Sequence, residues 1–383
     1  MDSLERLRLL SSDMALEPAE DQGCPRLTTP SNRPDKLVLS QAVLPNGKRI
    51  NLLKSLLTSA CERNCYYCPF RAGRDFRRAT FKPDEFASAF MNLQRAGLVQ
   101  GTFISSGILG GGVRTQDKLL DIAAILRTQY GYGGYIHLKI MPGAERDQVE
   151  QAMLLADRVS INLEAPNTNR LRKLAPGKEF TEELLQPLRW VEEIRRNQPG
   201  HHAWNGHWPS STTQFVVGGA GESDLELISV SQHLYRQLHL SRVYYSAFNP
   251  IPDTPLENLP AASSIREHRL YQASFLLRDY GFDTEDLPFD PVTGNLPTHT
   301  DPKRAWANEH LQHTPLEINL ASQHALLRVP GIGPKGVRAI IASRKQRALK
   351  DLSSLHKLGI DTSRAAPFIL LDGKRPGYQP ALF

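Results

Sequence analysis

The residues most able to do chemistry in this chain are three cysteines in one short stretch, CERNCYYCPFR, at positions 61–71. Cys61, Cys65 and Cys68 leave only one other cysteine, Cys24, in 383 residues. Thiolates bind soft and borderline metals, and this spacing supplies three of them from a single turn. Cysteines this close in sequence do not form a disulfide framework, so the spacing predicts a metal centre.

Three thiolates from one loop are compatible with two kinds of metal centre. A structural zinc site needs four closed ligands, so zinc would have to recruit Cys24 or a histidine such as His137. An iron–sulfur cube is usually held by four cysteines, and three would leave one iron without a protein ligand. An open metal position is what a catalytic site requires.

The elements that must position this loop alternate between strand-like and helix-like patterns from Asn51 to Gly281. The predicted strands are 51–59, 102–107, 134–141, 158–164, 212–219 and 241–250. The predicted helices are 83–97, 115–131, 145–156, 181–197, 222–238 and 263–281. Six βα units in series predict an α/β fold with a parallel sheet, either doubly wound or curled towards a barrel.

In both architectures ligands gather at the carboxyl ends of the strands, in the loops that follow them. The cysteine loop comes directly after the first predicted strand, and SSGILGGG follows the second. We therefore expect both loops to open onto the same rim of the sheet.

With Tyr67 immediately before the third cysteine, the loop resembles the signature of the radical S-adenosylmethionine (SAM) enzymes. The resemblance implies a partial (β/α)6 TIM-like barrel in which Cys61, Cys65 and Cys68 bind a [4Fe-4S] cluster. The fourth iron would take the amino and carboxylate groups of SAM. Reduction of the cluster by a donor such as flavodoxin or ferredoxin would cleave SAM to methionine and a 5′-deoxyadenosyl radical, which abstracts a hydrogen atom.

The same resemblance implies a set of SAM contacts at the strand ends: Tyr67, Ser105, Ser106, Gly107, Glu164, Gly218, Gly219 and Asn249. The 105–107 stretch stands where the family often has Gly-Gly-Glu and lacks the carboxylate, although serine hydroxyls and backbone carbonyls still accept from an ammonium. Glu164 is expected to hold a ribose or the methionine ammonium. At 105–107, 218–219 and 249, plain turns after strands are the alternative interpretation.

A basic excess lies at the C-terminal end of the chain. From Ala321 onward, eleven Lys and Arg stand against three Asp and Glu, a net charge of +8, whereas the whole chain carries +6. A basic segment suits a polyanion, and a solubilising basic surface is the alternative explanation.

Within this segment, LLRVPGIGPKGVRAIIASR (326–344) has apolar residues on both sides of a glycine-bounded turn. The turn presents backbone N–H groups at a fresh helix N-terminus, which is a geometry that binds phosphate. PGIGPKGVRAI closely resembles the hairpin of helix-hairpin-helix domains, which grip the DNA backbone without reading sequence. The resemblance implies phosphate contacts by Gly331, Ile332, Gly333, Lys335, Gly336 and Arg338. An ordinary packing unit is the alternative.

The two resemblances together define four predicted segments. Residues 1–45 form an N-terminal segment without an assigned fold, and 46–285 form the radical SAM barrel. Residues 286–318 form a connector packing on the barrel, and 319–383 form a small all-α helix-hairpin-helix domain. The combination resembles a small bacterial family described as DNA modification or repair radical SAM proteins.

The resulting hypothesis is a radical SAM enzyme that modifies or repairs a nucleotide in DNA. Modification of RNA is one alternative, and a non-catalytic iron–sulfur protein that binds nucleic acid is another. No residue beyond the cluster ligands is assigned to catalysis. The first residues, MDSLERLRLL, lack a secretory apolar core and no later run approaches a membrane span, so a cytoplasmic protein without a membrane partner is expected.

Overall fold

The computed structural model describes residues 2–12, 14, 39–43 and 47–377. Cys24, an alternative zinc ligand, lies outside these residues. The chain forms two compact units. The first comprises the residues up to Glu222 together with His233–Ser263, and the second comprises Ser223–Gln232 and the chain from Ser264 onward. The domain boundaries expected from the sequence, at 45, 285 and 318, stay predictions.

The secondary structure alternates along most of the chain. The strands are β1 (Leu39–Val43), β2 (Arg49–Leu56), β3 (Gly101–Ser105), β4 (Tyr135–Lys139), β5 (Arg158–Ser160), β6 (Ser210–Val217), β7 (Arg242–Ala247), β8 (Leu316–Glu317) and β9 (Ile369–Leu370). The helices are α1 (Ser3–Ser12), α2 (Pro83–Arg95), α3 (Gly112–Ala124), α4 (Arg146–Leu155), α5 (Thr168–Leu174), α6 (Gln186–Asn197), α7 (Asp224–Gln237), α8 (Ser264–Asp279), α9 (Pro302–His310), α10 (Gln323–Arg328), α11 (Pro334–Arg344), α12 (Leu352–Lys357) and α13 (Thr362–Ala365).

The first unit is built on a seven-stranded sheet in the order β1-β2-β3-β4-β5-β6-β7. β1 pairs antiparallel with β2, and every other neighbouring pair in this sheet is parallel. β2 to β7 correspond to the six predicted strands, which confirms the α/β half-barrel expected from the sequence. β1 is an addition, because it lies before the region in which the alternation of strands and helices was recognised.

The two faces of the sheet differ in chemistry because side chains alternate along each strand. One face carries the row Lys54, Phe103, His137, Arg158, which are Cα partners across β2 to β5. The opposite face carries fully buried apolar side chains such as Leu53, Ile104, Leu138 and Val159. A parallel sheet is usually apolar on both faces, so the polar face marks the side on which a ligand cavity is expected.

Two of the predicted helices contain π-helical turns. Residues 125–129 form one directly after α3, and residues 180–185 form another directly before α6. In the second case Pro187 provides a reason, since it has no N–H to donate to a preceding carbonyl and a regular α-turn cannot pass through it unchanged. The predicted strand 158–164 is shorter in the structure, since β5 ends at Ser160 and Glu164 makes an isolated bridge with Phe215.

The second unit has an apolar core of its own. Its fully or nearly fully buried side chains include Ile318, Leu326, Ile340, Leu355 and Phe368, with Trp306 and Tyr280 packed against them. β8 and β9 pair in parallel at Leu316 and Ile369. The hairpin that joins α10 to α11 therefore lies on a unit with its own core.

Candidate functional site

A cavity of about 180 Å³ lies at the carboxyl ends of the strands of the first unit. Its walls contain Cys61, Arg63, Cys65, Tyr67, Cys68, Ser105, Ser106, Gly107, Lys139, Asn162, Glu164, Lys178 and Gln214, besides apolar residues. The three cysteines and five of the eight predicted SAM contacts are thus brought together. The lining residues Leu56, Ser105 and Lys139 belong to the polar face of the sheet, as expected for strands that alternate.

Backbone hydrogen bonds hold the cysteine loop against the loop that follows β3. Leu57 N–H donates to Ser105 C=O at 2.8 Å, Gly107 N–H donates to Thr58 C=O at 2.7 Å, and Glu62 N–H donates to Ile108 C=O at 2.8 Å. These bonds continue the β2–β3 pairing past the ends of both strands. The two loops therefore form one connected rim.

Gly107 is required at this rim by close approach of the backbone. A Cβ atom at this position would lie 2.3 Å from the carbonyl oxygen of Ala60, directly before the first cysteine. Real Cβ atoms do not come so close to an oxygen, so a side chain here would push the cysteine loop away. Gly107 therefore has a structural role in this rim, and a contact with SAM stays a prediction.

The three thiols are free and face the cavity. Burial raises the pKa of Cys65 and of Cys68, and the negative charge of the neighbouring thiols raises it further. Cys61 Sγ accepts from Ile108 N–H at 3.4 Å, which ties the first thiol to the loop after β3. Buried thiols with raised pKa values become thiolates when a metal replaces the proton, so the donor set fits a soft metal centre.

A single-ion site does not fit these residues. Within the part of the chain that the structure describes, no three His, Cys, Asp or Glu side chains are close enough to hold one metal ion. His137, the suggested fourth zinc ligand, lies 2.8 Å from Ser160 Oγ through Nε2 and packs on Phe103 at 4.2 Å between ring centroids. A cluster whose irons are ligated one by one is compatible with more widely spaced thiols.

Glu164 and Lys178 form a buried ion pair beside the thiols. Lys178 Nζ lies 3.0 Å from Glu164 Oε1, and their side chains are 10% and 5% exposed. Glu164 has φ 64°, a left-handed conformation that few non-glycine residues adopt. Burial alone would lower the pKa of Lys178, but the charges of Glu164 and Cys65 raise it well above the ordinary value. Lys178 therefore stays charged among the thiols.

Two acceptor oxygens of this site have no hydrogen-bond partner. Glu164 Oε2 and Gln214 Oε1 are both buried and unpaired in the described structure. Leaving a buried acceptor unpaired costs about 1–3 kcal/mol, so a ligand that donates N–H or O–H groups would relieve the penalty. This property fits the ammonium and ribose hydroxyls of SAM, which supports the role that the resemblance implies for Glu164.

Sequence reasoning missed five polar residues of the cavity: Arg63, Lys139, Asn162, Lys178 and Gln214. Lys139 Nζ donates to Asn162 Oδ1 at 2.5 Å on the polar face of the sheet, and Gln214 lies on the same face. The signal for Lys139 and Gln214 was a polar residue at alternate positions within GYIHLKIM and TTQFVVGG. Lys178 had no such signal, because it lies in a loop after α5.

Arg63 holds that loop against the cysteines. Arg63 Nη2 lies 2.6 Å from Glu183 Oε1, and Arg63 Nη1 donates to the carbonyl of Gly177. Tyr66 N–H also donates to Leu174 C=O at 2.7 Å. Burial, and then the charge of Glu164, raises the pKa of Tyr67 well above its usual value, so the hydroxyl stays protonated beside the pair.

Gly218, Gly219 and Asn249 follow β6 and β7 but do not line the cavity. Gly218 has φ 92° and its N–H donates to the Glu222 carboxylate. A Cβ on Gly219 would lie 2.8 Å from Leu174 Cδ2 and 3.1 Å from Phe248 Cδ2, so this glycine packs closely against both side chains. Asn249 is exposed, and its Nδ2 donates to Ala247 C=O at 3.2 Å. Their contact with SAM stays a prediction.

The hairpin of the second unit presents helix donors and positive charge together. Gly333 is the N-cap of α11 and has no side chain to accept from the first N–H groups. Val337 N–H donates to Gly333 C=O at 2.9 Å. The backbone N–H groups that precede Val337 in α11 have no acceptor within the helix. Lys335 and Arg338 are exposed on the same helix.

The remaining predicted phosphate residues pack within this unit. A Cβ on Gly331 would lie 2.4 Å from Asp361 C=O, and one on Gly336 would lie 2.4 Å from Ile360 Cδ1. Ile332 is 1% exposed. The two glycines therefore permit α10 and α11 to pack against the turn between α12 and α13. A phosphate contact through their backbone stays a prediction.

The stretch HHAWNGHWPSS (201–211) contains three histidines, which do not form a metal site among the described residues. His201 and His202 are exposed and contact each other edge to face, with ring centroids 4.6 Å apart. His207 lines a different cavity, at the amino ends of the strands, with Arg158 and Arg195. No helix among the described residues is long and apolar enough to cross a membrane.

Three solved structures resemble part of this chain. HydG, a [FeFe]-hydrogenase maturase from Carboxydothermus hydrogenoformans, is 15% identical, with 59% of this chain and 51% of that chain covered and a TM-score of 0.46. Methylornithine synthase PylB is 16% identical, with 59% and 62% covered and a TM-score of 0.46. The radical SAM methyltransferase TsrM from Kitasatospora setae, solved with tryptophan and a SAM analogue, is 12% identical, with 57% and 39% covered and a TM-score of 0.41. None of these names refers to nucleic acid.

Among curated proteins, uncharacterized protein MJ0785 of Methanocaldococcus jannaschii is 22% identical over 233 residues, or 57% of this chain and 55% of that protein. The chain thus spans about half the length of the curated relative it matches. Residues 55–232 match the radical SAM superfamily, and this segment contains the three cysteines and the cavity residues from Cys61 to Gln214. The chain therefore carries a radical SAM domain, of the family whose enzymes use a [4Fe-4S] cluster and S-adenosylmethionine.

Proposed function

We propose that this protein is a radical SAM enzyme that acts on a nucleotide in nucleic acid, with DNA preferred over RNA. The first unit would generate a 5′-deoxyadenosyl radical, and the second unit would hold the polyanion. The observation that carries the enzymatic part is the cavity, which joins three free thiols to two unpaired acceptor oxygens.

In the first unit, Cys61, Cys65 and Cys68 would hold the cluster. When bound, the cluster supplies the electron that cleaves SAM. Glu164 would accept from the SAM ammonium or ribose through the unpaired Oε2. Lys178 would offset the negative charge of the thiolates, because it remains protonated within the cavity.

The protein also limits which reactions occur beside the cluster. Tyr67 keeps its proton because its pKa is raised, so it donates a hydrogen bond and does not add negative charge. Apolar walls that include Phe70, Ile108 and Met141 limit the water that reaches the cavity. Exclusion of water protects a reactive intermediate from side reactions.

Support for the nucleic-acid part comes from the hairpin and the charge of the C-terminal segment. Gly333 leaves the first N–H groups of α11 open, with exposed Lys335 and Arg338 on the same helix. The net charge of +8 from Ala321 onward adds an attraction that does not depend on sequence. A hydrogen atom of a base or sugar within a duplex is out of reach of a cavity, so the substrate nucleotide would be flipped or single-stranded.

The enzymatic part is tested by anaerobic reconstitution with iron and sulfide, followed by reduction in the presence of SAM. We expect 5′-deoxyadenosine to form with the wild-type protein and with Cys24→Ser, and not with Cys65→Ala. A cluster that forms without any 5′-deoxyadenosine would support the non-catalytic alternative instead.

The substrate part is tested separately, by mass spectrometry of nucleosides from cells with and without the protein. A change confined to DNA nucleosides, with or without induced damage, would support the proposal, whereas a change confined to RNA nucleosides would favour the alternative. Unchanged profiles of both would contradict a nucleotide substrate. A direct comparison of binding to matched DNA and RNA completes the test.

A further inference from the structure

A buried lysine of the second unit donates a hydrogen bond to the backbone of the hairpin between α10 and α11. Lys303, at the start of α9, is 8% exposed, and its Nζ donates to Ile332 C=O at 2.6 Å. The same Nζ lies 4.5 Å from the centre of the Tyr280 ring. Among the residues that the structure describes, no carboxylate forms an ion pair with Lys303. A buried lysine without an acidic partner is rare, so its position needs a reason.

The bond to Ile332 determines which way the next N–H group points. Ile332 C=O and Gly333 N–H belong to one peptide group, and no peptide bond in the described chain is cis. In a trans peptide the C=O and N–H point in opposite directions. Since the carbonyl is held towards the buried lysine, Gly333 N–H is held on the opposite side, away from Lys303.

The charge of the ammonium adds to this orientation. A hydrogen bond from a charged donor is about twice as strong as one between neutral groups. A bond on the carbonyl side also polarises the peptide group, which makes its N–H a better donor. Lys303 thus favours the binding of an anion by Gly333 N–H, although Lys303 itself does not contact the anion.

The turn between α12 and α13 also precedes a helix, but it lacks open N–H donors of this kind. Asp361 is the N-cap of α13, and its side chain accepts from Arg364 N–H. Its carboxylate also accepts from Ser363 Oγ at 2.6 Å. A carboxylate at this position occupies the helix donors and repels phosphate, so the polarised donor belongs to the 331–333 hairpin.

We propose that Lys303 is a positioning residue for phosphate binding, which holds Gly333 N–H towards the nucleic-acid backbone through its bond to Ile332 C=O. This inference rests on the proposed function of the hairpin. It adds a group that the hairpin sequence does not contain, supplied by a helix about 30 residues earlier in the chain.

The proposal has a consequence for pH. Burial, and then the charge of Arg364, lowers the pKa of Lys303 to about 7, while Asp301 raises it in part. Other titratable groups around it are Asp279 and Tyr280, which line the same cavity. The ammonium is present below about pH 7 and lost above it, so phosphate binding is expected to weaken as pH rises through this range.

The test measures binding of the full-length reconstituted protein to a short fluorescein-labelled DNA duplex, by anisotropy, at constant salt from about pH 6 to about pH 9. We expect the wild-type Kd to rise by about threefold to tenfold across this range. Lys303→Met should bind about tenfold more weakly at about pH 6 and show no such step. Lys303→Arg should restore binding and also lack the step, since arginine stays charged.

The control variant is Lys350→Met, which removes an exposed positive charge from the same unit. It should lose only a modest, uniform part of the affinity and keep the pH step. Equal binding by Lys303→Met and the wild type, or a pH step that survives in Lys303→Met, would overturn the role of Lys303. If the wild-type protein binds neither duplex nor single-stranded DNA nor RNA, the proposed function of the hairpin fails instead.

Discussion

The buried pair of Lys178 and Glu164 allows a quantitative test of the cavity. Lys178→Met removes the cation and leaves a carboxylate that is 5% exposed without its partner at 3.0 Å. Removal of one member of a buried ion pair costs about 3–5 kcal/mol, because the remaining charge stays desolvated. We therefore expect the free energy of unfolding of the first unit to fall by about this amount.

The pH dependence of this effect has a definite sign. The pKa of Lys178 is raised in the folded state, so its contribution is fully present below the ordinary lysine pKa of about 10.4. The contribution is lost only as pH rises through the still higher folded value. The deficit of Lys178→Met should therefore be constant across the neutral range.

Thermal unfolding followed by circular dichroism measures the effect. A loss of about 3–5 kcal/mol corresponds to a fall in Tm of about 10 °C, since each kcal/mol shifts Tm by about 2–4 °C in a domain of this size. The double variant Lys178→Met with Glu164→Leu should recover most of the loss, because replacing both charges by apolar groups is often neutral. The measurement is made before and after cluster reconstitution.

Two results would refute the reasoning. A loss below about 1 kcal/mol for Lys178→Met would show that the pair is solvated in solution, as exposed pairs are. Additive losses in the double variant would show that the two residues do not interact energetically.

The remaining predictions concern the rim, the hairpin and Lys303. Gly107→Ala should lower iron incorporation and stability, because its Cβ would lie 2.3 Å from Ala60 C=O. Gly133→Ala is the control, because nothing lies within 4 Å of a Cβ there and its φ is not positive. Equal iron content in Gly107→Ala and wild type would contradict the close approach. Lys335→Ala with Arg338→Ala should reduce the slope of log K against log salt for duplex binding by about 2, measured by salt titration, and an unchanged slope would place the nucleic acid elsewhere. The folded pKa of Lys303 is lowered to about 7, so between about pH 7 and about pH 10 the unfolded state binds more protons at Lys303 than the folded state does. The free energy of unfolding should therefore rise with pH over this window. Denaturant unfolding at several pH values should show a flatter rise for Lys303→Met, and an identical rise in the variant would count against the buried charge.

The sequence was informative about the rim because parallel strands all end on the same side of the sheet. Knowing that the cysteine loop followed one strand and 105–107 followed the next was enough to predict that they meet. Glu164 was placed at the same rim by the same argument. Gly218, Gly219 and Asn249 also follow strands but do not line the cavity, which strand order does not reveal.

The hairpin was similarly predictable from local rules. The structure confirms the helical elements on each side of the turn, with α10 ending before Pro330 and α11 beginning with Gly333 as N-cap. Proline and glycine determine such boundaries through their own dihedral preferences, so no tertiary contact is needed to predict them. The contacts between these hairpin residues and nucleic acid stay a prediction.

By itself, then, the sequence determined the thiol donors, the order of strands and helices, and the position of the glycine-bounded turn. Each of these depends on residue type and local spacing. Only the tertiary structure decided that Lys178 neutralises Glu164 beside the thiols, that Gly107 touches Ala60, and that Lys303 holds Ile332. These contacts join residues from separate loops and helices. Their strength comes from burial, which excludes water from charges and hydrogen bonds and which no local pattern of residues specifies.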